Sequence, residues 1–314
     1  MSRYGGIEKL YSLFKRTDIN NEIKDITAIC IGELFKKAKI PHSMRTEIIS
    51  HFISIVVDSD SWTQKTSRAI LGNHIQNSEN RTEIMKAIDM KSIAEELRQP
   101  NVGTLEQNKQ IQNKQEGKCN LLYAIIKNRS DDEIRKTIIN SGIVDSLFFI
   151  FDTRDLSSIT IPYVDVIQQL TVGSIEVRLL LYSKKPYPYL LRLLNHSNNE
   201  VILYTIYSIV NILLTGFNTT SSSSLHPHFD QMSTYGGIEK LYSLFKRTDV
   251  NQKIKDITAI CIGKLFNKAQ IPHSMRTEII SHLMSIVGDS DTLTQDTSRI
   301  ILGNLAQNSE NRTV

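Results

Sequence analysis

Apolar residues recur at spacings of three and four along most of the chain, and this spacing predicts amphipathic α-helices. In the first such stretch, residues 7–15, Ile7, Leu10, Leu13 and Phe14 share one face of a helix. The sequence shows neither the alternation that is typical of strands nor the Asn-Gly turns of hairpins. We therefore predict an all-α protein.

The same spacing predicts further helices in each part of the chain. Asp18 can cap the second helix, and Pro41 suits the first turn of the third, where its missing N–H has no helical partner to lose. Polar residues such as those at 58–61 separate the helices. After the first, the predicted helices cover residues 23–38, 44–57, 63–77, 121–128, 130–141, 143–151, 161–170, 186–194 and 201–214.

One long stretch of the sequence occurs twice. Residues 4–82 and 235–313 align without a gap at an offset of 231 residues (235 − 4), and fifteen of the seventy-nine paired positions differ. Self-similarity of this kind is the signature of a repeat architecture. Two copies alone could also be two globular domains, so the choice depends on whether a shorter period lies inside the long one.

A shorter period does lie inside it, and we therefore treat residues 1–314 as one solenoid. Ile-Gly-Glu at residues 31–33 aligns with Leu-Gly-Asn at residues 71–73, forty residues later (73 − 33). Later equivalents follow at spacings of 54, 42, 42, 53 and 40, and the two long intervals contain a polar insertion (99–117) and a Ser-rich loop (217–233). A period near forty is typical of stacked helical repeats. The equivalent positions, called the ladder positions below, are Glu33, Asn73, Lys127, Gln169, Asn211, Lys264 and Asn304.

Composition and charge narrow the class of protein. The 314 residues are 40% hydrophobic and carry a net charge of +4, with lysine and arginine scattered along the chain. Nucleic-acid binding needs a concentrated basic face, so we expect no nucleic-acid partner. No apolar run reaches the roughly 18 residues that a membrane span requires, and the first residues lack a signal-peptide core. We expect no membrane association and a cytoplasmic, possibly nuclear, location.

Candidate catalytic and metal-ligating residues are few. Glu47 and His51 share a helix face, but a metal site needs three or four convergent ligands, and the sequence offers no third. Cys30 and Cys261 occupy one equivalent position between apolar neighbours, which predicts a small buried thiol. The sequence contains no Gly-rich phosphate loop and no nucleophile motif. We predict a protein that is not an enzyme and has no cofactor.

Two segments resemble the armadillo repeat family. Leu-Gly-Asn-Leu-Ala-Gln-Asn-Ser-Glu-Asn-Arg at residues 302–312 looks like the end of that family's third helix. Gly-Gly-Ile at residues 5–7 and 236–238 looks like the turn into the next repeat. The resemblance extends to HEAT-type repeats. It implies an all-α, right-handed superhelical α-solenoid of armadillo/HEAT-like helical repeats, about six to seven in number, whose third helices line a concave groove.

The resemblance also implies a binding site. In that family an extended peptide lies in the groove and asparagine side chains hold its backbone, because a primary amide both donates and accepts hydrogen bonds. Glu33, Lys127 and Lys264 depart from this amide pattern. The alternative is that the asparagines only tie neighbouring helices together or interact with solvent. Carried over by position, the peptide-binding candidates are Asn73, Gln169, Tyr207, Asn211 and Asn304.

The resemblance implies a non-enzymatic scaffold that binds an extended peptide or a partner helix in the groove. The alternatives are a transport adaptor like importin alpha and a regulatory repeat segment of a larger enzyme such as a kinase. Importin alpha pairs its ladder asparagines with tryptophans one turn earlier, where this chain has Ala69, Tyr207 and Ile300. The chain stops at Val314 without a visible polar cap, so we expect either a fragment of a longer array or solenoid ends that self-associate.

Overall fold

The computed structural model describes residues 5–36, 38–58, 61–100, 102–129, 131–216, 225–289 and 292–313. Within these ranges all regular structure is helical, as the spacing of apolar residues predicts. Short 3₁₀ turns follow α9 and α18. The α-helices are α1 (Gly6–Lys15), α2 (Asn21–Leu34), α3 (His42–Asp58), α4 (Ser61–His74), α5 (Ser78–Ala87), α6 (Met90–Leu97), α7 (Leu105–Ile126), α8 (Glu133–Asn140), α9 (Ile143–Thr153), α10 (Ile161–Thr171), α11 (Ile175–Ser183), α12 (Tyr187–Leu193), α13 (Asn199–Leu213), α14 (Phe229–Thr234), α15 (Gly237–Lys246), α16 (Gln252–Phe266), α17 (His273–Asp289) and α18 (Thr292–Leu305).

The chain divides into two compact units. The first, Met1–Ser146, contains α1 to α8, and the second, Leu147–Val314, contains α10 to α18, with the division inside α9. In the first unit α2 packs against α4 and α4 against α7; in the second, α10, α13, α16 and α18 pack in that order. These helices, called the third helices below, carry the ladder positions, except that α7 ends immediately before Lys127.

Hydrogen bonds between repeats have the predicted period. The side chain of Asn80 accepts a hydrogen bond from the backbone N–H of Ile40, forty residues earlier, and Asn311 does the same with Ile271. Each repeat is therefore tied to the next by bonds of one period. Further bonds at separations of 40 to 42 residues join Asn80 to Ala38, His74 to Gly32, Arg192 to Phe151, His196 to Leu156, Asn211 to Thr171, Tyr187 to His228 and Asn311 to Ala269.

The duplicated segments fold alike. Helices α1 to α4 correspond to α15 to α18, and corresponding helices begin at equivalent residues. Gly5 and Gly236 precede α1 and α15 with φ values of 60° and 64°, a left-handed conformation that glycine adopts without a steric penalty. Asn20 and Asn251 cap α2 and α16 by accepting from a backbone N–H in the first turn.

One face of α2 is exposed although the same face of α16 is buried. Ile23, Ile26 and Leu34 are 41–43% exposed, whereas their equivalents in α16 are buried. The cause is the neighbourhood: α16 packs against α13, α15, α17 and α18, while the extensive contacts of α2 are with α1, α3 and α4. The prediction that both equivalent cysteines are buried is therefore wrong for Cys30, which is exposed, and right for Cys261. Burial raises the pKa of the Cys261 thiol.

The polar insertion predicted at residues 99–117 is largely helical. It forms the first half of α7, because Thr104 and Gln107 make a capping box: the Thr104 hydroxyl accepts from the Gln107 N–H, and the Gln107 side chain accepts from the Thr104 N–H. The insertion therefore lengthens a third helix instead of forming a separate segment.

The described part of the Ser-rich loop predicted at residues 217–233 is partly helical. Residues 229–234 form α14, and His226 and His228 are buried. Residues 217–224 lie outside the described residues. The described part of this segment is thus packed against the helices around it.

Candidate peptide-binding surface

A cleft of about 280 Å³ lies between α4 and α7 in the first unit, and Asn73 lines it. Asn73 is half-buried, and its side-chain amide makes no hydrogen bond to any other residue that the structure describes. Ala69 and Gly72 form the floor of the cleft, and their small size leaves space above them. A Cβ added at Gly72 would lie only 3.2 Å from the Ala124 carbonyl oxygen. The cleft therefore presents a free donor and acceptor above a small-residue floor.

The walls of the cleft are basic. The Arg68 guanidinium carbon lies 5.2 Å and the Lys127 Nζ 4.8 Å from the centroid of the Tyr123 ring. Arg68 also donates a hydrogen bond of 2.7 Å to Asn120 Oδ1, which fixes the guanidinium in place. Lys65 completes the charged lining, and none of the lining residues carries a carboxylate. The negative face of the ring offsets part of the repulsion between the cations.

Asn211 ties two third helices together in the second unit. Its amide donates a hydrogen bond of 3.1 Å to the hydroxyl of Thr171, the last residue of α10. That hydroxyl donates in turn to the Gln168 carbonyl at 2.6 Å. Gln169 is half-buried and donates to the side chain of Gln168 at 2.7 Å. At these two predicted site residues the amides are already engaged within the protein.

Tyr207 lies one turn before Asn211 on α13 and is half-buried. The Nζ of Lys253, from α16, is 5.9 Å from the centroid of its ring. Lys253 occupies the position of Glu22 in the first copy, so this contact depends on one of the differences between the copies. Both units thus place a cation beside a tyrosine of a third helix.

Asn304 on α18 resembles Asn73 in its hydrogen bonding but not in its surroundings. It is half-buried, and its side-chain amide has no hydrogen-bond partner among the described residues. Ile300, which is 58% exposed, replaces Ala69, and Asp296 replaces Lys65. The two equivalent asparagines therefore have side chains of different charge and bulk beside them.

Glu33 and Lys264, the equivalent ladder positions with opposite charges, lie in different environments. Glu33 is exposed and pairs with Lys36 at 3.2 Å. Lys264 is only 5% exposed, and burial lowers the pKa of its ammonium group. Lys264 is therefore not accessible to a ligand, although it occupies a ladder position.

The sequence analysis missed a buried histidine cluster in the second unit. His226 Nε2 lies 2.8 Å from the Leu213 carbonyl oxygen, and its Nδ1 accepts from the backbone N–H of His228 at 3.0 Å. His228 Nδ1 lies 2.7 Å from the Tyr187 hydroxyl, and its Nε2 lies 3.4 Å from Thr215 Oγ1. Burial lowers the pKa of His226 to about 4 and that of His228 to about 3. The sequence signal for this cluster is His-Pro-His at residues 226–228, which follows a serine run and one leucine.

The residues considered for a metal site are paired with other groups. Glu47 accepts from Lys15 Nζ at 2.7 Å and from the Tyr11 hydroxyl at 2.9 Å, and His51 Nε2 lies 2.9 Å from Asp25 Oδ1. In the described ranges no three His, Cys, Asp or Glu side chains converge as a metal site would require. The described helices also include none with the length and apolar character needed to cross a membrane.

Comparisons with known proteins relate the fold to armadillo repeats. No family model and no curated protein matches the sequence. A computationally designed armadillo repeat protein for modular peptide recognition matches with a TM-score of 0.51 at 14% identity, over 82% of this chain and 99% of that chain. A designed armadillo repeat protein in complex with the peptide (KR)4 matches with a TM-score of 0.53 at 13% identity, over the same shares of the two chains.

A natural protein complex has the same fold over most of this chain. A structure concerned with a phosphorylation switch in the interaction between cadherin and beta-catenin matches with a TM-score of 0.54 at 14% identity, over 97% of this chain and 54% of that chain. At such identities the similarity shows the fold alone. It confirms the all-α, armadillo-like solenoid that the sequence predicts.

Proposed function

We propose that this armadillo-like α-solenoid is a non-enzymatic scaffold that binds an extended peptide along its third helices. The observation that carries the proposal is the unengaged amide of Asn73 in the cleft between α4 and α7. A peptide group presents one donor and one acceptor, and a primary amide complements both. Asn304, at the equivalent position of the second copy, is unengaged in the same way among the described residues.

The aromatic rings beside the ladder positions support the proposal. Tyr123 lines the same cleft as Asn73, and Tyr207 is half-buried one turn before Asn211. Tyrosine is enriched among the residues that dominate binding energy, because its ring offers a large rigid apolar surface. The designed armadillo repeat protein that was solved with (KR)4 supports peptide binding as a use of this fold.

Asn73→Ala and Asn211→Ala form a matched pair of test variants. A displayed library of short linear peptides is selected against the 314-residue chain, and the Kd of the selected peptide is measured by fluorescence anisotropy. We expect Asn73→Ala to weaken binding about fivefold to tenfold, the value of one hydrogen bond, with an unchanged Tm. Asn211→Ala should lower the Tm, because Thr171 loses its partner on the next repeat. An unchanged Kd for Asn73→Ala, or a library that yields no binder, would refute the proposal.

We also propose that the exposed face of α2 binds the α18 end of a second copy of the chain. This face carries Ile23, Ile26 and Leu34, and its equivalent on α16 is buried against the third helix α13. A third helix is therefore the kind of partner that this surface fits. On α18, Ile300 is 58% exposed and supplies an apolar side chain for such a contact. Head-to-tail pairing would bury both surfaces.

A further inference from the structure

We infer that the cleft between α4 and α7 selects an acidic peptide segment, whose carboxylate side chains meet Lys65, Arg68 and Lys127. This inference rests on the proposed peptide-binding function and adds the charge of the ligand. The three cations line one cleft of about 280 Å³ together with Asn73, and the lining contains no aspartate or glutamate.

Among the described residues, no ion pair neutralises the charge of the cleft. Lys65, Arg68 and Lys127 form no ion pair with a carboxylate of any residue that the structure describes. Two of them lie near the face of the Tyr123 ring, whose partial negative charge attracts a cation weakly compared with a carboxylate. A ligand carboxylate relieves the repulsion between the cations and gains charge-assisted hydrogen bonds.

Two of the three cations are already held in position. Arg68 is fixed by its hydrogen bond to Asn120, and Lys127 lies against the Tyr123 ring. A ligand therefore meets oriented donors and orders fewer side chains when it binds. Arg68 keeps guanidinium N–H groups that the bond to Asn120 does not use, and these suit a carboxylate.

The second copy shows which residues make the cleft basic. On α18 the ladder asparagine and the arginine are retained as Asn304 and Arg299, but Asp296 replaces Lys65 and Ile300 replaces Ala69. The chain thus supplies two matched substitutions, Lys65→Asp and Ala69→Ile, that an equivalent helix already carries. Lys65→Asp tests the charge of the cleft, and Ala69→Ile tests its open floor.

The test compares three labelled probes of equal length by fluorescence anisotropy, at low and at high salt. They are a peptide of alternating aspartate and glutamate, the basic peptide (KR)4, and an oligothymidylate. We expect the acidic peptide to bind at least about tenfold more tightly than (KR)4, because like charges across an interface are strongly unfavourable. High salt should reduce this preference.

Each variant has a defined expected result. Lys65→Asp should weaken binding of the acidic peptide about tenfold, and Ala69→Ile about fivefold by filling the floor, with unchanged circular dichroism for both. Lys9→Asp, on the exposed side of α1, changes the net charge equally and should leave Kd within about twofold, because Lys9 does not line the cleft and salt weakens interactions between exposed charges. Equal losses for Lys65→Asp and Lys9→Asp would overturn the inference.

The remaining outcomes separate this inference from the proposed function. If the oligothymidylate binds as tightly as the acidic peptide and loses as much affinity in Lys65→Asp, the cleft is a general polyanion site and the inference is wrong. If the acidic peptide does not bind while a library-selected peptide still depends on Asn73, the inference fails and the proposed function stands. If no peptide binds at all, both fail.

Discussion

At the scale of single residues, the histidine cluster shows how neighbours determine a protonation state. The Thr215 hydroxyl donates to the Ile212 carbonyl at 2.8 Å, so it can only accept from His228 Nε2. The Tyr187 hydroxyl then donates to His228 Nδ1, and the Tyr182 ring stacks on the imidazole with centroids 3.8 Å apart. Each nitrogen is satisfied by a neutral ring, and a second proton would have to break one of these bonds.

This cluster predicts that acid destabilises the second unit. His226 and His228 have folded pKa values of about 4 and about 3, below the ordinary value of 6.5. The unfolded state therefore binds more protons between these values, and stability falls as the pH drops from about 6.5 towards 4. We expect the Tm at about pH 5 to lie roughly 5–10 °C below its value at about pH 7.5, measured by calorimetry.

His226→Gln is the control for this pH dependence. Its amide can still donate to the Leu213 carbonyl, the partner of His226 Nε2, but it does not titrate. We expect the variant to lose roughly half of the drop in Tm between about pH 7.5 and about pH 5. A drop as steep as that of the wild type would assign the acid sensitivity to other groups.

The sequence predicted which residues occupy the ladder positions, but it did not predict whether their side chains form hydrogen bonds. Asn73 and Asn211 fit the same pattern, yet Asn211 is engaged with Thr171 and Asn73 is free of side-chain hydrogen bonds among the described residues. The difference depends on which side chain the preceding repeat places opposite the amide. A single sequence gives the spacing of repeats and not the distances between them.

At the scale of helices, a buried asparagine holds the turn between α2 and α3 in the first copy and the turn between α16 and α17 in the second. Asn80 is fully buried; it accepts from the Ile40 N–H at 3.1 Å and donates to the Ala38 carbonyl at 3.3 Å and to His74 Nδ1 at 3.2 Å. In the second copy, where leucine replaces His74, Asn311 donates to a backbone carbonyl instead. The asparagine thus holds the turn in both copies although one of its hydrogen-bond partners changes.

Replacing Asn80 should remove a large part of the stability of the first unit. Asn80→Ala leaves the buried Ile40 N–H without a partner and removes the bonds to the Ala38 carbonyl and His74, and we expect the free energy of unfolding to fall by about 3 kcal/mol. Urea denaturation measures the change. The control is Asn113→Ala, at an exposed position of α7, which should be neutral or slightly stabilising because alanine favours helix. Equal urea midpoints for the two variants would contradict this role of Asn80.

Helix prediction succeeded where apolar spacing was regular and failed where tertiary contacts stabilise the helix. The apolar spacing predicted α1, α3 and α13, whereas the short helices α5, α6 and α11 were not predicted. Of these, α5 and α6 are also rich in polar residues. In the polar half of α7, Gln115 is buried and donates to carbonyls at the end of α6, including those of Glu96 and Leu97. Such partners lie 18 or more residues away and leave no local signal.

At the scale of the whole chain, near-identical sequences acquire different surfaces. The duplicated segments were predicted from the sequence, and their helices begin at equivalent residues. Their burial could not be predicted, because Cys30 is exposed and Cys261 buried within the same local sequence. Which face a helix buries depends on the neighbouring repeat, and the sequence of the helix itself does not encode that neighbour.

The exposed face of α2 predicts association that depends on concentration. We expect sedimentation velocity to show the weight-average mass rising with protein concentration, because apolar side chains at both surfaces leave water on pairing. Ile26→Lys on α2 should abolish the rise, and so should Ile300→Ala on α18, which installs the residue that the first copy has at Ala69. A single mass at every concentration, or association that survives both changes, would exclude head-to-tail pairing.

The hydrogen bonds that span one period of 40 to 42 residues also determine how the chain responds to force. Because each of them joins a repeat to its immediate neighbour, tension along the backbone breaks only one such set at a time. The energy is then absorbed in many small steps of similar size, and a repeat that has been pulled out can re-dock on its neighbour without disturbing the others.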